Sequence, residues 1–200
     1  MLSTAFSKFL MIESAFYCMV SRAKAALRAK MLKQRDSLTE EQINSKSNAI
    51  IKKLLDHPKF KGAPTIAVYL PKGSEVSTKK IILKSLEMGK EVLVPVTNDH
   101  IEFYRFSSFE DLVAGKYGIM EPKTKILPSR QPDLILIPGV CFGHCMHRIG
   151  YGKGCFDHYL KESGAYRIGI CFEFQVVEEL PKHENDERMD EIITEKRIIM

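Results

Sequence analysis

The fold is decided by residues 65–96, which read TIAVYLPKGSEVSTKKIILKSLEMGKEVLVPV. The apolar runs at 65–70 and 91–96 each predict a buried strand. Between them, residues 77–88 show helical spacing, and Gly89 supplies the left-handed residue that commonly ends a helix. A strand, a helix and a second strand in this order indicate two parallel strands with a helix packed on the sheet.

Two predicted helices precede this unit. The first carries Lys24, Arg28 and Arg35 at near-helical spacing. The second begins at Thr39, because Thr39 and Gln42 form the Ser/Thr-x-x-Glu/Gln pattern of a capping box. The chain therefore enters the sheet from a pair of helices.

The alternation of strands and helices continues to the end of the chain. The other predicted elements are a helix over 21–34, an end of the second helix at Pro58, strands over 101–106, 134–138 and 166–172, and helices over 157–161 and 175–180. This order predicts an α/β fold over residues 22–200, a single domain with a mostly parallel sheet flanked by helices in a Rossmann-like layered architecture. Ligands of such sheets lie beyond the carboxyl ends of the strands, where residues 71–77, 139–157 and 172–190 are expected.

Composition excludes several classes of protein. The chain has 200 residues, 44% of them hydrophobic and 28% charged, which suits one globular domain that needs no disulfides. The net charge of +5 comes without a dense Lys/Arg block interleaved with aromatic residues, so we expect no nucleic-acid partner. Small anionic substrates explain a modest positive charge equally well. We also expect no membrane association, because no apolar run reaches the roughly 20 residues of a membrane span, and we expect a monomer.

The five cysteines favour a reducing compartment, because they are odd in number and irregularly spaced. Cys141 and Cys145 lie beside His144 and His147, which invites a zinc site. No second ligand pair stands at a familiar distance, so incidental thiols are the favoured interpretation. We therefore expect a cytoplasmic protein.

Residues 1–21 are interpreted as an N-terminal extension, either loosely ordered or a targeting segment. Glu13 interrupts the apolar stretch, which argues against a secretory signal. The extension is poor in arginine for a mitochondrial presequence, yet a mitochondrial location stays open as the alternative.

The segment with the clearest chemistry is residues 148–157, which read RIGYGKGCFD. Its glycines at alternate positions allow backbone N–H groups to converge on a ligand. Arg148 offers a fork of donors for phosphate oxygens, and Lys153 offers a mobile positive charge. A helix that begins near Phe156 adds the positive end of its dipole. These features favour a polyphosphate site, although a purely structural glycine-rich turn fits the same pattern.

The segment matches neither of the common nucleotide-binding motifs. A Walker A loop requires glycine where His147 stands and Ser or Thr where Gly154 stands. A Rossmann fingerprint requires Gly-x-Gly-x-x-Gly, whereas the spacing here is Gly-x-Gly-x-Gly. Asp157 suits a Mg²⁺ ion held against phosphate oxygens, and it also suits an ordinary helix N-cap. Both interpretations stay open on the pattern alone.

Residues 148–160, RIGYGKGCFDHYL, follow DLILIPGV at 133–140 and closely resemble the signature of the 5-formyltetrahydrofolate cyclo-ligases, also called 5,10-methenyltetrahydrofolate synthetases. The resemblance covers about residues 22–195 in order. Shorter segments that share it are Lys24-Ala-Ala-Leu-Arg28, Tyr69-Leu70 with Glu75-Val76, Gly118-Ile-Met-Glu-Pro122, and Glu184-Asn-Asp186 with Met189-Asp190.

The resemblance implies an ATP-dependent ligase with Mg²⁺ as cofactor and ATP and a reduced folate as partners. The folate is 5-formyltetrahydrofolate, with or without a polyglutamate tail. The implied reaction phosphorylates the formyl oxygen, closes the ring through N10 and releases ADP and phosphate, giving 5,10-methenyltetrahydrofolate. Phosphoryl transfer mainly requires positioning and charge neutralisation, so no protein nucleophile is needed.

The resemblance also implies the residues of the site. Those expected at ATP are Lys24, Ala25, Ala26, Leu27, Arg28, Arg148, Ile149, Gly150, Tyr151, Gly152, Lys153, Gly154, Cys155 and Phe156. Those expected at the folate are Arg28, Leu70, Glu75, Tyr151, Gly152, Lys153, Gly154 and Cys155, and those expected at Mg²⁺ are Asp157 and Asp190. Lys153, Arg148 and Tyr151 are the expected catalytic residues. Judged without the resemblance, Lys24 and Arg28 fit a solvated helix face, Glu75 fits an ordinary turn, and Asp190 fits an acidic surface.

Two departures from the family pattern stand out. The family generally has Phe-Asp, then a glycine and a small or amide residue before its arginine, whereas this chain has Phe142-Gly143-His144-Cys145-Met146-His147. Cys155 stands where an aromatic residue is usual. These departures bear on substrate affinity more than on the fold. Two other classes of function stay open, a non-enzymatic folate- or nucleotide-binding protein and the same ATP site used on another substrate.

Overall fold

A computed structural model of the chain describes residues 2–98 and 100–200. The helices are α1 (Leu2–Asp36), α2 (Glu40–Asp56), α3 (Pro58–Gly62), α4 (Lys79–Glu87) and α5 (Cys155–Glu162). The strands are β1 (Thr65–Val68), β2 (Glu91–Thr97), β3 (Ile101–Arg105), β4 (Leu112–Ala114), β5 (Met120–Pro122), β6 (Leu134–Ile137), β7 (Cys141–Gly143), β8 (Arg148–Ile149), β9 (Tyr166–Ile170), β10 (Val176–Val177), β11 (Glu191–Ile193) and β12 (Ile198–Ile199). Short 3-10 helices cover Lys116–Gly118 and Glu173–Gln175.

The central sheet is mostly parallel, as the sequence predicts. Its strand order is β12-β11-β9-β6-β1-β2-β3, and the five strands from β11 to β2 pair in parallel. The chain passes from β1 to β2 on one side and later returns to β6 on the other side of β1. The connections that leave β1 and β6 therefore diverge, and a crevice forms beyond their carboxyl ends.

The sheet buries both of its faces. In β1, Ile66 and Val68 pack into one hydrophobic cluster, whereas Ala67 packs into the other. Helices α2 and α4 cover the first face with side chains such as Ile50 and Ile81, and α5 covers the second with Leu160. Burial on both faces explains why the strands read as continuous apolar runs instead of alternating ones.

Helix α2 confirms its predicted start. The Thr39 side chain accepts from the backbone N–H of Gln42, and the Gln42 side chain accepts from the backbone N–H of Thr39. Its predicted end at Pro58 is also confirmed, because α2 stops at Asp56 with His57 as its C-cap, and Pro58 then begins the short helix α3. Proline is well suited to a first helical turn, since its missing N–H would have no intrahelical partner there.

Helix α1 is longer than predicted, because it begins at Leu2 instead of Ser21. Residues 2–36 contain neither glycine nor proline, so no residue type in this stretch breaks a helix. The helix crosses the boundary that we placed after residue 21, while Met1 of that extension lies outside the described residues. Within the described residues, no helix is both long and apolar enough to cross a membrane. A targeting function of this segment stays a prediction.

The predicted helix over 175–180 is wrong. A 3-10 turn ends at Gln175, and Val176 and Val177 then form β10, which pairs in parallel with β7. The Gln175 side chain is buried and donates to the carbonyls of Gly139 and Val140 at 3.0 and 2.9 Å. This tertiary contact and the β-branched valines outweigh the local helical spacing.

Candidate active site

A cleft of about 530 Å³ opens at the carboxyl ends of β1 and β6. Leu70 lines it from the segment after β1, and Pro138 and Gly139 line it from the segment after β6. Two further walls come from α1 and from the glycine loop, which we define as residues 150–154 between β8 and α5. Residues of β2 and β3 and of the segments around Tyr117 and His183 also contribute to the lining. The crevice that the strand order creates is therefore the place where the sequence-predicted segments meet.

The glycine loop has a backbone that suits glycine at two of its positions. Gly152 has a φ of 99° and Gly154 a φ of 67°, which side chains on L-residues rarely adopt. A Cβ on Gly152 would lie 3.4 Å from a terminal nitrogen of Arg28. The Nε of Arg28 also donates to the carbonyl of Gly150 at 2.8 Å. One cation on α1 therefore fixes the loop from the side of the helix.

Arg148 and Asp157 form an ion pair within the cleft wall. The Arg148 Nη1 to Asp157 Oδ1 distance is 2.8 Å, and Arg148 is only 5% exposed. The backbone N–H of Glu187 donates to the same Asp157 oxygen at 3.1 Å. The N-cap of α5 is Gly154, so Asp157 lies in the first turn and does not cap the helix. Asp157 instead compensates a buried arginine, which would be costly to leave unpaired.

Two cations of α1, Lys24 and Arg28, line the cleft. Lys24 lines the cleft beside Arg28, and its Nζ lies 2.5 Å from Asp186 Oδ2. The residues between them differ from the expectation, because Ala25 and Ala26 are exposed and Leu27 packs against the hydrophobic cluster beneath α1. Helical geometry explains this, since positions four apart share a face and intermediate positions point elsewhere. The structure therefore brings the two cations of this motif to the cleft and not the three residues between them.

Glu75 is a buried carboxylate at the end of the cleft that lies next to Leu70. It is 6% exposed and lines the cleft with Leu70. Its Oε2 accepts from the backbone N–H of Lys72 at 2.8 Å, and its Oε1 accepts from the hydroxyl of Tyr151 at 3.1 Å. Glu75 does close a turn, because its backbone N–H donates to the carbonyl of Lys72, yet a carboxylate this buried is unusual for an ordinary surface turn.

Burial raises the pKa of Glu75, and the Lys72 backbone N–H and the Arg35 guanidinium oppose that rise. The pKa of Tyr151 is also raised, first by burial and then by the Glu75 charge. Titratable groups whose pKa is shifted by burial inside a cleft are frequent at functional sites. The pKa directions therefore agree with the geometry in marking this end of the cleft.

The other residues of the glycine motif lie where the loop meets the cleft. Lys153 Nζ lies 5.6 Å from the centroid of the Tyr117 ring, which also lines the cleft. Cys155 opens α5 with its Sγ 3.8 Å from the carbonyl of Lys153. The Arg148 guanidinium carbon lies 5.7 Å from the centroid of the Phe156 ring. Both Cys155 and Phe156 reach the second hydrophobic cluster of the sheet, so they anchor the loop as well as line the cleft.

Asp190 does not join Asp157 at the cleft. It precedes β11, at the amino end of that parallel strand, and its Oδ2 accepts from the backbone N–H of Arg167 at 2.7 Å. It lines a second cavity on the opposite edge of the sheet. The expectation of a shared Mg²⁺ site for these two aspartates is corrected accordingly, because the amino and carboxyl edges of a parallel sheet face in opposite directions. Asp186 is the carboxylate that lines the cleft with Asp157.

Some residues that line the cleft or contact its lining have no function that the sequence predicts. Arg35 continues the cationic face of α1 and reaches Tyr151, with Nη2 to hydroxyl oxygen at 2.7 Å. The Tyr17 ring stacks on His183 at the mouth of the cleft, with centroids 4.3 Å apart. The helical spacing of Arg35 after Arg28 could have indicated that Arg35 faces the cleft residues. No local pattern announces the contact between Tyr17 and His183, since the two rings are far apart in the sequence.

Comparison with known proteins identifies the family. The 5-formyltetrahydrofolate cyclo-ligase family matches residues 20–195. The chain belongs to this family. It is 31% identical over 202 residues to a probable 5-formyltetrahydrofolate cyclo-ligase of Schizosaccharomyces pombe, covering 90% of this chain and 98% of that protein. It is 28% identical over 193 residues to the 5-formyltetrahydrofolate cyclo-ligase of Mus musculus, covering 88% and 95% respectively.

A solved structure shows the same fold in the family. The NMR structure of Aquifex aeolicus 5,10-methenyltetrahydrofolate synthetase superposes with a TM-score of 0.79 at 35% identity. The match covers 88% of this chain and 91% of that one. The cyclo-ligase resemblance and the α/β architecture that the sequence predicts are thereby confirmed.

One departure from the cyclo-ligase pattern has a structural consequence. Met146 has a φ of 67°, in the left-handed region, at the position where the family pattern predicts glycine. A non-glycine residue in this region costs about 1–2 kcal/mol. The Met146 side chain is buried in the second hydrophobic cluster of the sheet, and burial of a methionine contributes about 1.5–3 kcal/mol. This family member therefore offsets backbone strain with side-chain packing.

Proposed function

We propose that this cyclo-ligase converts 5-formyltetrahydrofolate and ATP to 5,10-methenyltetrahydrofolate, ADP and phosphate. The observation that carries the proposal is one cleft that joins the cationic glycine loop to the buried carboxylate of Glu75. The names of the curated relatives and of the solved structure support the same reaction.

The cationic end of the cleft suits a polyphosphate. Five basic and three acidic side chains line the cleft, so its net charge is positive; they are Lys24, Arg28, Lys72, Arg148, Lys153, Glu75, Asp157 and Asp186. Two of the cations, Lys24 and Arg148, are paired with carboxylates, whereas Lys153 lies beside the Tyr117 ring. Because an ammonium group on a flexible stem can follow a moving phosphoryl group, Lys153 is the proposed catalytic cation.

The opposite end of the cleft suits the folate. The ring system of a reduced folate presents N–H donors on one edge, and a fixed carboxylate such as Glu75 accepts them. Leu70 and Tyr69 supply apolar surface next to that carboxylate. Because Glu75 and the glycine loop line the same cleft, the formyl group is proposed to face the loop, where the γ-phosphate is proposed to lie.

The proposed reaction proceeds in two steps. The formyl oxygen attacks the γ-phosphorus of ATP, the bond to the β–γ bridging oxygen breaks, and ADP leaves. N10 then attacks the activated formyl carbon and loses its proton, while the carbon–oxygen bond breaks and phosphate leaves. Positioning and charge neutralisation account for catalysis, so the chain needs no nucleophile of its own.

Mg²⁺ is proposed as the cofactor, with Asp157 as its protein ligand. Both hydrogen bonds of Asp157 among the described residues end on Oδ1, so they do not use Oδ2. No group of three or more His, Cys, Asp or Glu side chains gathers for a metal within residues 2–98 and 100–200. A Mg²⁺ ion is usually held by one or two carboxylates together with phosphate oxygens, so Asp157 and a bound ATP would suffice as its ligands. When bound, the ion would neutralise charge on the transferring phosphoryl group.

The decisive experiment is a ring-closure assay with purified protein. We expect the absorbance of the methenyl-folate product to appear when ATP and Mg²⁺ are both present, with ADP formed in equal amount. Folded protein that shows neither signal would refute the proposed reaction. Tight binding of ATP and folate without ADP release would instead favour a non-enzymatic binding protein.

A further inference from the structure

Arg35 is a buried arginine that contacts the cleft residues without lining the cleft. It is 3% exposed, and its Nε donates to the hydroxyl of Ser74 at 3.0 Å. Its Nη2 donates to the hydroxyl of Tyr151 at 2.7 Å. Its Nη1 lies 3.9 Å from Glu75 Oε1 and has no hydrogen-bond partner within the described residues. A buried guanidinium with an unsatisfied nitrogen is costly, so its placement calls for an explanation beyond packing.

The donor and acceptor roles in the hydrogen bonds around Tyr151 are fixed by the partners. Arginine has donors and no acceptor, so the Tyr151 oxygen must accept from Arg35. The Tyr151 hydrogen is thereby directed to Glu75 Oε1, which lies 3.1 Å away. Glu75 Oε2 accepts from the backbone of Lys72, so both oxygens of the carboxylate are oriented.

This chain of hydrogen bonds joins three parts of the molecule. Arg35 belongs to α1, Glu75 to the segment between β1 and α4, and Tyr151 to the glycine loop. We propose that Arg35 is a positioning residue that couples the phosphate-binding glycine loop to the folate-binding carboxylate of Glu75. The inference rests on the proposed function, because it assigns ATP to the loop and the folate to Glu75.

The physical reason for coupling is that Tyr151 is shared between the two ends of the cleft. Tyr151 is 43% exposed and lines the cleft, while its hydroxyl completes the orientation of Glu75. A nucleotide that holds the glycine loop in this arrangement also holds the Tyr151 hydroxyl against Glu75, so the folate meets the oriented carboxylate in a larger fraction of the molecules. The first ligand bears the free-energy cost of ordering the loop and the carboxylate, so the second ligand binds more tightly. The effect is the same whichever ligand binds first.

Calorimetry can measure this coupling without turnover. The probes are a non-hydrolysable ATP analogue and 5-formyltetrahydrofolate, each titrated into the full chain alone and in the presence of the other. In the natural protein we expect each ligand to strengthen the binding of the other about fivefold or more, the lower end of typical coupling between sites. Reciprocity requires the same factor in both orders of addition.

Two variants test the contribution of the hydrogen-bond chain. Tyr151→Phe removes one hydroxyl and keeps the ring, and Arg35→Met removes the donors and keeps an apolar stem. Both should reduce the coupling to less than about twofold, whereas Arg35→Lys, which retains a donor, should restore part of it. Lys33→Met is the matched control, because Lys33 is an exposed cation on the same helix; it should leave the coupling unchanged.

The possible outcomes separate the inference from the proposed function. Independent binding of the two ligands to the natural protein overturns the coupling while the function stands. Coupling that survives in Tyr151→Phe also overturns it, and this variant decides the matter if Arg35→Met does not fold. If neither ligand binds the natural protein, the proposed function fails and the inference fails with it.

Discussion

The Phe142 ring is held between two glycines, and this contact gives a quantitative prediction. A Cβ added to Gly169 would lie 2.4 Å from Phe142 Cε1, and one added to Gly139 would lie 2.5 Å from Cε2 on the other edge of the ring. Ordinary carbon contacts lie at about 3.5–4.0 Å. Phe142 is fully buried, so the ring cannot move away from Gly169 without approaching Gly139.

We expect Gly169→Ala to lower the free energy of unfolding by about 2 kcal/mol. Overpacking costs about 1–3 kcal/mol, and the enclosed ring places this site at the upper end. Replacing glycine by alanine also stabilises the folded protein by roughly 0.4–1 kcal/mol, because alanine restricts the unfolded chain, and this offsets part of the cost. For a chain of this size a loss of about 2 kcal/mol corresponds to a melting temperature lower by roughly 4–8 °C.

Thermal and denaturant unfolding followed by circular dichroism would measure the change. Gly164→Ala is the matched control, because a Cβ there would meet no atom within 4 Å. In a Phe142→Leu background the smaller side chain makes room, so the cost of Gly169→Ala should fall to near zero. A Gly169→Ala protein as stable as the natural one, or a cost that Phe142→Leu leaves unchanged, would refute the reasoning.

The remaining predictions concern activity. Lys153→Met should lower kcat/KM more than tenfold, since it removes the cation proposed at the transferring phosphate. Lys161→Met is the control and should leave kcat/KM unchanged, because Lys161 is exposed on α5. Equal steady-state rates in Lys153→Met and the natural protein would contradict the assignment. Burial raises the pKa of Glu75, so its ionised form is lost as the pH falls through that raised value. As the pH is lowered, the KM for the folate should therefore begin to rise before the pH reaches roughly 4.3, the pKa of an exposed glutamate. A KM that stays constant down to that pH argues against Glu75 as the acceptor. Asp157→Asn should increase the Mg²⁺ concentration needed for half-maximal rate; an unchanged metal titration would leave Asp157 as the partner of Arg148 alone.

Local pattern was sufficient for much of the fold. The apolar runs that predict β1 and β2 and the capping box at Thr39 are properties of neighbouring residues, and the structure confirms them. Local pattern failed at residues 175–180, where a buried Gln175 and pairing with β7 replace a predicted helix. It also missed short strands such as β11, because such strands are stabilised by partners distant in the sequence.

The site shows the same division. The cationic spacing of Lys24 and Arg28 and the glycines of the loop were visible in the sequence, and both lie at the cleft. The position of Asp190 was not visible in the sequence. Asp190 comes just before a parallel strand and so lies at the amino edge of the sheet, whereas the cleft lies at the carboxyl edge.

The sequence by itself determined the α/β class, the family and the cationic glycine loop, because periodicity and residue chemistry are local properties of the chain. The tertiary structure alone decided which carboxylates share the cleft and that Arg35 contacts Tyr151, since 116 positions separate these two residues. Strand order brings together segments that no local pattern relates. The chemical groups of the site are therefore written in the sequence, whereas their pairing depends on how the sheet is wound.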